Sequence, residues 1–235
     1  MSPTRLVLPG LPLAVGEVVV PAAVARHARV ARVATGEPIE LLDLAGTVAV
    51  GRLVAWEGAT CRVAIEVLER ERGEPPAPLV LGLAVLHTQA FDWAVEKATE
   101  LGVTTLVPVL CERVQGGAHD RRVERWQRIA VAAVAQCGRS RAPRVTAPRQ
   151  LTMFLAEARD MRLVADPGAP ESPLASPGTG GLTVLVGPEG GFTSSELAAA
   201  RAAGFVGLPL GPRTLRAETA AVAALAVVQA RVGWL

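Results

Sequence analysis

The hydrophobic pattern changes character once along the chain, near residue 75. Before that point, short apolar runs are separated by glycine or proline, and residues 60–69 alternate apolar with polar side chains. Alternation of this kind is typical of a half-buried strand. The pattern predicts strands over 17–20, 39–43, 48–55 and 60–69. Their regular turns indicate a small β-barrel.

After residue 78, apolar runs alternate with helical patterns. The run over 79–86 is continuously apolar, as expected of a strand that is buried on both faces. Further strands are predicted over 104–110, 161–166, 182–186 and 205–210, and helices over 91–101, 121–137, 151–160 and about 216–232. Five strands with helical crossovers predict a doubly wound α/β domain.

The segment between these halves has the composition of a linker. Residues 71–78 combine charged side chains, one glycine and three prolines, and they can continue neither a strand nor a helix. We therefore predict a β-barrel domain over 1–72, a linker over 73–78 and an α/β domain over 79–235.

Two glycine-bearing turns follow two of the predicted strands: residues 187–191 read GPEGG, and residues 211–213 read GPR. The helix between them begins with Thr193 and Glu196 at the spacing of a capping box. We expect the two strands to be neighbours, so that their turns form a crevice at one edge of a parallel sheet. Glycine allows close approach of the backbone to a ligand, although two ordinary strand-to-helix turns would give the same pattern.

The whole chain has a net charge of only +2, but its arginines are concentrated in two segments. Between residues 113 and 149, nine arginines are accompanied by two acidic residues, Asp120 and Glu124. Such an excess is typical of a phosphate-binding surface, and the alternative is a solvated helix and loop. A second, smaller cluster of arginines lies over residues 26–32, again with a solvated face as the alternative.

Cysteine and histidine offer little catalytic signal. The three cysteines are widely spaced and form no C-x-x-C pair, which predicts neither a disulfide framework nor a zinc site and favours a reducing cytoplasm. His27, His87 and His119 are interpreted as surface or loop residues, with His87 the one whose strand-end position could face a site. The N-terminus lacks the long apolar core of a signal peptide, and the apolar run over 220–228 is far shorter than the roughly 20 residues that span a bilayer.

Several segments resemble a known family. LVGPEGGFTSSEL and LPLGPRTLRAETAAVAAL are similar to the two closing motifs of the SPOUT methyltransferases, and within them to the 16S ribosomal RNA uracil-N3 methyltransferase family. FDWAVEKATELGV, CERV and ERWQRIAVAAVAQCGRSRAP match as well. The resemblance implies a SPOUT-type parallel sheet with a C-terminal trefoil knot, preceded by a PUA-like barrel, in a cytoplasmic homodimer that uses S-adenosylmethionine, needs no metal and acts on 16S rRNA of the small ribosomal subunit.

The resemblance also implies roles for individual residues. Arg216 would stabilise the uracil anion or orient the base, and Glu189 would order its loop or the cofactor. The cofactor-binding residues would be Leu185, Val186, Gly187, Glu189, Gly190, Leu210, Gly211, Leu215, Arg216 and Thr219. The RNA-binding residues would be Arg26, Arg29, Arg32, Arg113, Arg139 and Arg141.

The sequence departs from the family in one important segment. Where the family usually has Lys-Gly-Asp-Arg before the FDW-like motif, this chain has His87, Thr88, Gln89 and Ala90, so two cations are lost. Two alternatives stay open. One is another SPOUT reaction, such as ribose 2′-O-methylation, and the other is an RNA-binding module without transfer activity, which the lost cations keep open.

Overall fold

The computed structural model describes residues 3–114, 122–170 and 180–235, which fall into two compact units. Unit 1 comprises Met1–Glu74 and Val131–Ala142, and unit 2 comprises Pro75–Ala130 and Pro143–Leu235. The first boundary lies inside the predicted linker. The inclusion of residues 131–142 in unit 1 differs from the predicted domain ranges, since no local pattern marks where a helix changes its packing partners.

Unit 1 contains a five-stranded sheet, one complete helix and the end of a second helix. Its strands are β1 (Thr4–Val7), β2 (Gly16–Val20), β3 (Pro38–Leu42), β4 (Thr47–Glu57) and β5 (Thr60–Arg70), in the order β1-β3-β4-β5-β2. The β1–β3 pair is parallel and the others are antiparallel. The helix α1 (Ala22–Val30) packs against β1 and β5. The sequence missed β1, which is too short to show a clear alternation.

Residues 131–142 are tied to unit 1 by apolar and polar contacts. They contain the end of α3 (Val123–Cys137), whose Val134 is buried with Leu42 and Val48. The N–H of Gly46 donates to the Ser140 carbonyl at 3.1 Å. This part of the chain, with the Arg139 to Arg141 segment that the sequence marked as basic, therefore completes the core of unit 1.

Unit 2 contains a seven-stranded sheet in which every pairing is parallel, and this confirms the α/β class. The order is β12-β10-β11-β6-β7-β8, and β9 also pairs with β7. The strands are β6 (Leu79–Ala84), β7 (Thr105–Leu110), β8 (Arg144–Val145), β9 (Arg149–Gln150), β10 (Met161–Ala165), β11 (Leu182–Val186) and β12 (Val206–Leu208). The helices are α2 (Thr88–Glu100), α4 (Leu151–Glu157), α5 (Ser194–Ala202) and α6 (Ala217–Val232).

The five strands predicted for this half of the chain are present, and the two-residue strands β8 and β9 were missed. The predicted helix over 121–137 begins at Val123 in the structure, and residue 121 itself lies outside the described residues. Both faces of the sheet are covered. Along β11, Val184 joins a core with α2 and α6, while Leu185 joins a core with α4 and α5, because successive side chains point to opposite faces.

One topological expectation is wrong. The strands β11 and β12, which carry the two glycine turns, are not neighbours, because β10 lies between them and pairs with both. In this register Leu163 lies opposite Val184 on one side and Val206 on the other. Consequently three strands, rather than two, end at the same edge of the sheet. Asp166 and Pro167, which directly follow β10, lie there together with the two glycine turns.

Candidate active site

A cavity of about 790 Å³ opens at the carboxyl ends of β10, β11 and β12. Its size is ordinary for a small-molecule site. The walls come from the loops after these three strands, together with the first residues of α2 and α6. Apolar side chains form much of the lining, including Val186, Leu208, Leu210 and Leu215. The cavity lies where open parallel sheets usually bind ligands.

Most residues that were predicted to bind a cofactor line this cavity. They are Val186, Gly187, Glu189, Gly190, Leu210, Gly211, Leu215 and Arg216. Two others do not line it. Leu185 is fully buried in the core on the α4 and α5 side, because the alternation along β11 turns it away from Val186. Thr219 is exposed on α6 and is absent from the cavity wall.

The loop glycines serve different purposes. Gly211 has a φ of +93°, a conformation that favours glycine, and a Cβ at this position would meet open space. A Cβ on Gly187 would lie 2.9 Å from the ring of Phe192, so this glycine is required for packing within the protein. Gly191, with a φ of +69°, also has open space where a Cβ would lie. Gly211 and Gly191 are therefore cavity glycines whose bare backbone is free to approach a ligand.

The loop over 187–191 is anchored to the ends of the neighbouring strands β6 and β7. Glu189 Oε1 accepts a hydrogen bond from the backbone N–H of His87 at 3.1 Å. Arg113 Nη1 donates to the carbonyl of Gly190 at 2.7 Å. A loop held in this way loses less entropy when a ligand binds. The carboxylate of Glu189 thus orders its loop, and Arg113 holds the same loop from the other side.

The helix α5, which follows this loop, begins as the sequence predicts. Thr193 and Glu196 form a capping box in which each side chain accepts a hydrogen bond from the other residue's backbone. Glu196 also accepts a hydrogen bond from the N–H of Glu112 at 2.8 Å. Burial, and to a lesser degree the carboxylate of Glu196, raise the pKa of the Cys111 thiol to about 12. That thiol is consequently protonated at neutral pH and is unsuited to act as a nucleophile.

Asp166 is a site residue that sequence analysis missed. It follows β10 directly, lines the cavity and is 5% exposed. One of its carboxylate oxygens pairs with Arg201 Nη2 at 2.7 Å, and the other accepts the N–H of Gly168 at 3.0 Å. The available signal was an acidic residue at the end of a predicted strand. The sequence does not show that β10 lies between β11 and β12, so this position alone could not assign Asp166 to the site.

Two arginines line the cavity and leave their charges free. Arg216 is the N-cap residue of α6 and makes no side-chain capping bond, and Arg213 lies in the turn before it. Both side chains are exposed, and neither forms an ion pair with any residue in the described part of the chain. Their positive charge is therefore available to an anionic group inside the cavity. The sequence assigned a role to Arg216 and none to Arg213.

His87 is exposed and also lines the cavity, in agreement with the expectation that its strand-end position could face a site. It is the N-cap residue of α2, and its imidazole makes no capping bond. The feature of the sequence that indicated this location is the position of His87 directly after a buried strand. His119 lies outside the described residues.

The predicted RNA-binding arginines divide into exposed and buried groups. Arg26, Arg29 and Arg32 are exposed on or just after α1, and the Arg29 guanidinium lies 4.6 Å from the ring centroid of Trp56. Arg141 is half exposed and pairs with Glu71. All four side chains remain accessible to solvent, although Arg29 also donates a hydrogen bond to the carbonyl of Gly58.

The prediction that Arg139 presents its charge to RNA is wrong. Its side chain is 4% exposed, and its Nη2 lies 2.6 Å from Oε2 of Glu74, which is 6% exposed. Oε1 of Glu74 also accepts the backbone N–H groups of Ser140 and Arg141 at 3.1 and 2.8 Å. Through these contacts Glu74 fixes residues 139–141 within unit 1.

No group of three or more His, Cys, Asp or Glu side chains within 3–114, 122–170 and 180–235 is arranged to hold a metal ion. The cysteines at 61, 111 and 137 are all free. Over the same described ranges, every helix is too short or too polar to cross a membrane.

Comparison with known proteins identifies the family. A family model described as an RNA methyltransferase domain matches residues 73–229. The ribosomal RNA small subunit methyltransferase E of Mycobacterium bovis is 32% identical over 214 residues, which cover 86% of this chain and 81% of the relative. Its counterpart in Synechocystis is 32% identical over 212 residues, which cover 86% and 69%.

Solved structures agree with these relatives. A ribosomal RNA small subunit methyltransferase E from Neisseria gonorrhoeae, bound to S-adenosylmethionine, has a TM-score of 0.88 and 33% identity over 97% of this chain and 98% of that one. A putative methyltransferase from Legionella pneumophila, also in complex with S-adenosylmethionine, has a TM-score of 0.83 and 26% identity over 98% of both chains. The matched domain and the near full-length likeness together show that the chain belongs to the ribosomal RNA small subunit methyltransferase E family.

Proposed function

We propose that this protein transfers a methyl group from S-adenosylmethionine to N3 of a uridine in the 16S rRNA of the small ribosomal subunit. The observation that carries the proposal is the cavity at the ends of three parallel strands, where Arg213 and Arg216 stand unpaired, among the described residues, beside an anchored glycine loop. Family membership supports the reaction class, and the sequence resemblance supports N3 as the target atom.

The residues present fit the cofactor. The apolar walls from Val186, Leu208 and Leu210 suit the adenine ring, and the unobstructed backbone at Gly211 suits close hydrogen bonding to its polar edges. When bound, S-adenosylmethionine supplies an electrophilic methyl group, so the protein has mainly to bind, align and exclude water. Leu185 and Thr219 are dropped from the proposed binding set because they lie outside the cavity wall.

Arg216 is the residue we assign to the substrate. Uracil becomes anionic when N3 loses its proton, and a fixed cation beside the ring stabilises that charge as it develops. Arg216 suits this task because it lines the cavity, is exposed and forms no ion pair with any of the described residues. Glu189 acts indirectly, since its carboxylate holds the loop over 187–191 through the N–H of His87.

We assign RNA binding to exposed arginines on each of the two units. Arg26, Arg29 and Arg32 form the proposed surface on unit 1, with Arg141 on the same unit and Arg113 on unit 2 as further candidates. Their forked guanidinium groups match phosphate geometry and can also stack on unpaired bases. Arg139 is excluded because it is buried against Glu74.

The resemblance extends the proposal in four further respects. We propose a PUA-like role for unit 1, a trefoil knot near the C-terminus of unit 2, a homodimeric assembly and a cytoplasmic location. The strand order supports the knot. The chain crosses from β11 over β10 to reach β12, and a trefoil knot requires a later strand to cross an earlier one in this way.

The decisive experiment compares 16S rRNA from cells with and without the gene. Nucleoside digestion and mass spectrometry should detect 3-methyluridine only when the gene is present. A 2′-O-methylated nucleoside that depends on the gene would instead establish the first alternative function. An unchanged nucleoside profile, with RNA binding but no calorimetric affinity for S-adenosylmethionine, would establish the RNA-binding alternative.

A further inference from the structure

The cavity contains a histidine that no structural contact accounts for. His87 begins α2 with a φ of −54° and a ψ of 148°, yet its side chain does not cap the helix. Its backbone N–H is fixed by Glu189, and no atom of the described residues hydrogen-bonds to its imidazole. The backbone is therefore held in place, while the ring is left free beside the cavity that it lines.

The proposed reaction needs a group of this kind. A neutral uracil carries a proton on N3, and the electron pair that attacks the methyl carbon becomes available only when that proton leaves. Positioned proton acceptors typically contribute about 10²–10⁴-fold to such a step, and they work best when they titrate near the operating pH. Histidine is the side chain that most readily does so.

The other charged groups of the cavity are less suited to accept this proton. Arg213 and Arg216 remain protonated in proteins and cannot act as bases. Asp166 is buried in its pair with Arg201, and Glu189 holds the N–H of His87. Glu218, in the first turn of α6, is the one remaining rival among the described residues, and a carboxylate is a weaker base than an imidazole.

We propose that His87 is the general base that removes the N3 proton of the target uridine, an inference that rests on the proposed function. The N3–H bond breaks and its proton passes to an imidazole nitrogen of His87. The electron pair left on N3 forms the new bond to the methyl carbon, while the carbon–sulfur bond breaks and its pair remains on sulfur. The imidazolium then releases the proton to water, and Arg216 balances the transient charge on the ring.

The first test compares His87→Asn with Gln89→Asn, a change at an exposed residue two positions along the same helix. With 16S rRNA and saturating S-adenosylmethionine, H87N should lower the single-turnover methylation rate by about 100-fold or more, whereas Q89N should match the wild type. The wild-type rate should fall at acidic pH, where a general base is protonated, and H87N should lack this fall. Added imidazole should partly restore His87→Ala.

The second test uses no methyl transfer. Histidine ¹⁵N spectra of the cofactor-free protein, assigned with H87N, should change for His87 when a uridine-containing target RNA fragment binds. A fragment that carries 3-methyluridine at the target position lacks the N3 proton and should not produce this change.

The outcomes separate the inference from the proposed function. A wild-type protein that forms no 3-methyluridine overturns the function itself. Normal wild-type activity with an unimpaired H87N overturns only the role of His87. Loss of transfer in Glu218→Gln with retention in H87N assigns the proton to Glu218 and likewise overturns the inference.

Discussion

Arginine side chains have different roles in the two units. In unit 1, Arg72 and Arg139 are largely buried against the carboxylates of Glu40 and Glu74, where they join strands and loops that are distant in sequence. In unit 2, Arg213 and Arg216 stand exposed at a cavity and are free of ion pairs within the described ranges. The same side chain therefore stabilises one unit and offers its charge to a ligand in the other.

The two sets of arginines differ in how far folding removes water from the guanidinium group. A buried guanidinium that loses its carboxylate leaves an uncompensated charge in a poorly hydrated place, so pairing there governs stability. An exposed arginine remains hydrated in the free protein, and its charge is used only when an anion arrives. Substitutions in the two sets should consequently affect different measurements.

The largest effect is expected at the buried pair. Arg139→Met should lower the free energy of unfolding by about 3 kcal/mol or more, because Glu74 is left without its cation. Guanidinium-induced unfolding measures this change. Arg213→Met, on an exposed side chain, should change the stability by less than about 0.5 kcal/mol. Equal stability losses in the two variants would remove the contrast.

The next effect concerns the cavity. Arg216→Ala should reduce methyl transfer about 100-fold, a loss typical of removing one group that stabilises developing negative charge. Calorimetry should show that affinity for S-adenosylmethionine is retained. Arg52→Ala, which removes an exposed arginine paired with Glu66 in unit 1, is the matched control and should transfer normally. Undiminished transfer by R216A would take this residue out of the mechanism.

The stability contributed by the buried ion pairs of unit 1 should also depend on pH. Burial alone would raise the pKa of Glu40, but hydrogen bonds and charge from Arg72 and Arg5 outweigh it and hold the pKa below its ordinary value of 4.5. A carboxyl group with a lowered pKa stabilises the fold above its unfolded-state pKa, and this contribution disappears as the pH falls through the folded-state value. Glu40→Gln should therefore destabilise the protein at neutral pH, and its deficit should shrink below about pH 4.5.

Denaturant titrations of wild type and E40Q, from neutral pH down to about pH 3, measure that deficit. A deficit that stays constant over the whole range would show that the carboxylate charge of Glu40 contributes nothing to unit 1.

The smallest effect is expected on RNA affinity. Arg26→Ala combined with Arg32→Ala should weaken RNA binding modestly and lower the slope of log affinity against log salt by about 0.7 for each phosphate that the protein no longer neutralises. Fluorescence anisotropy at several salt concentrations measures both quantities. R139M serves as the contrast, since a buried arginine should leave the slope unchanged in protein that remains folded. A salt slope unaffected by R26A/R32A would remove α1 from the proposed RNA surface.

Local sequence patterns were sufficient to predict the class of the fold and the edge of the sheet at which the site lies. Continuous apolar runs predicted the buried strands of unit 2, and the capping box of Thr193 and Glu196 fixed the start of α5. The glycine turns at 187–191 and 211–213 indicated the cavity, because their glycine and proline content reflects local backbone requirements. Features of this kind depend on residues close together in the chain, so local patterns express them.

Tertiary structure alone decided strand order, pairing and exposure. Nothing near β11 or β12 shows that β10 lies between them, and this placement brings Asp166 to the cavity. Likewise Arg139 and Arg141 are two residues apart, yet one is buried by Glu74 and the other stays half exposed beside Glu71. Both outcomes depend on partners more than 60 residues away in the chain, and only the folded chain brings such partners within bonding distance.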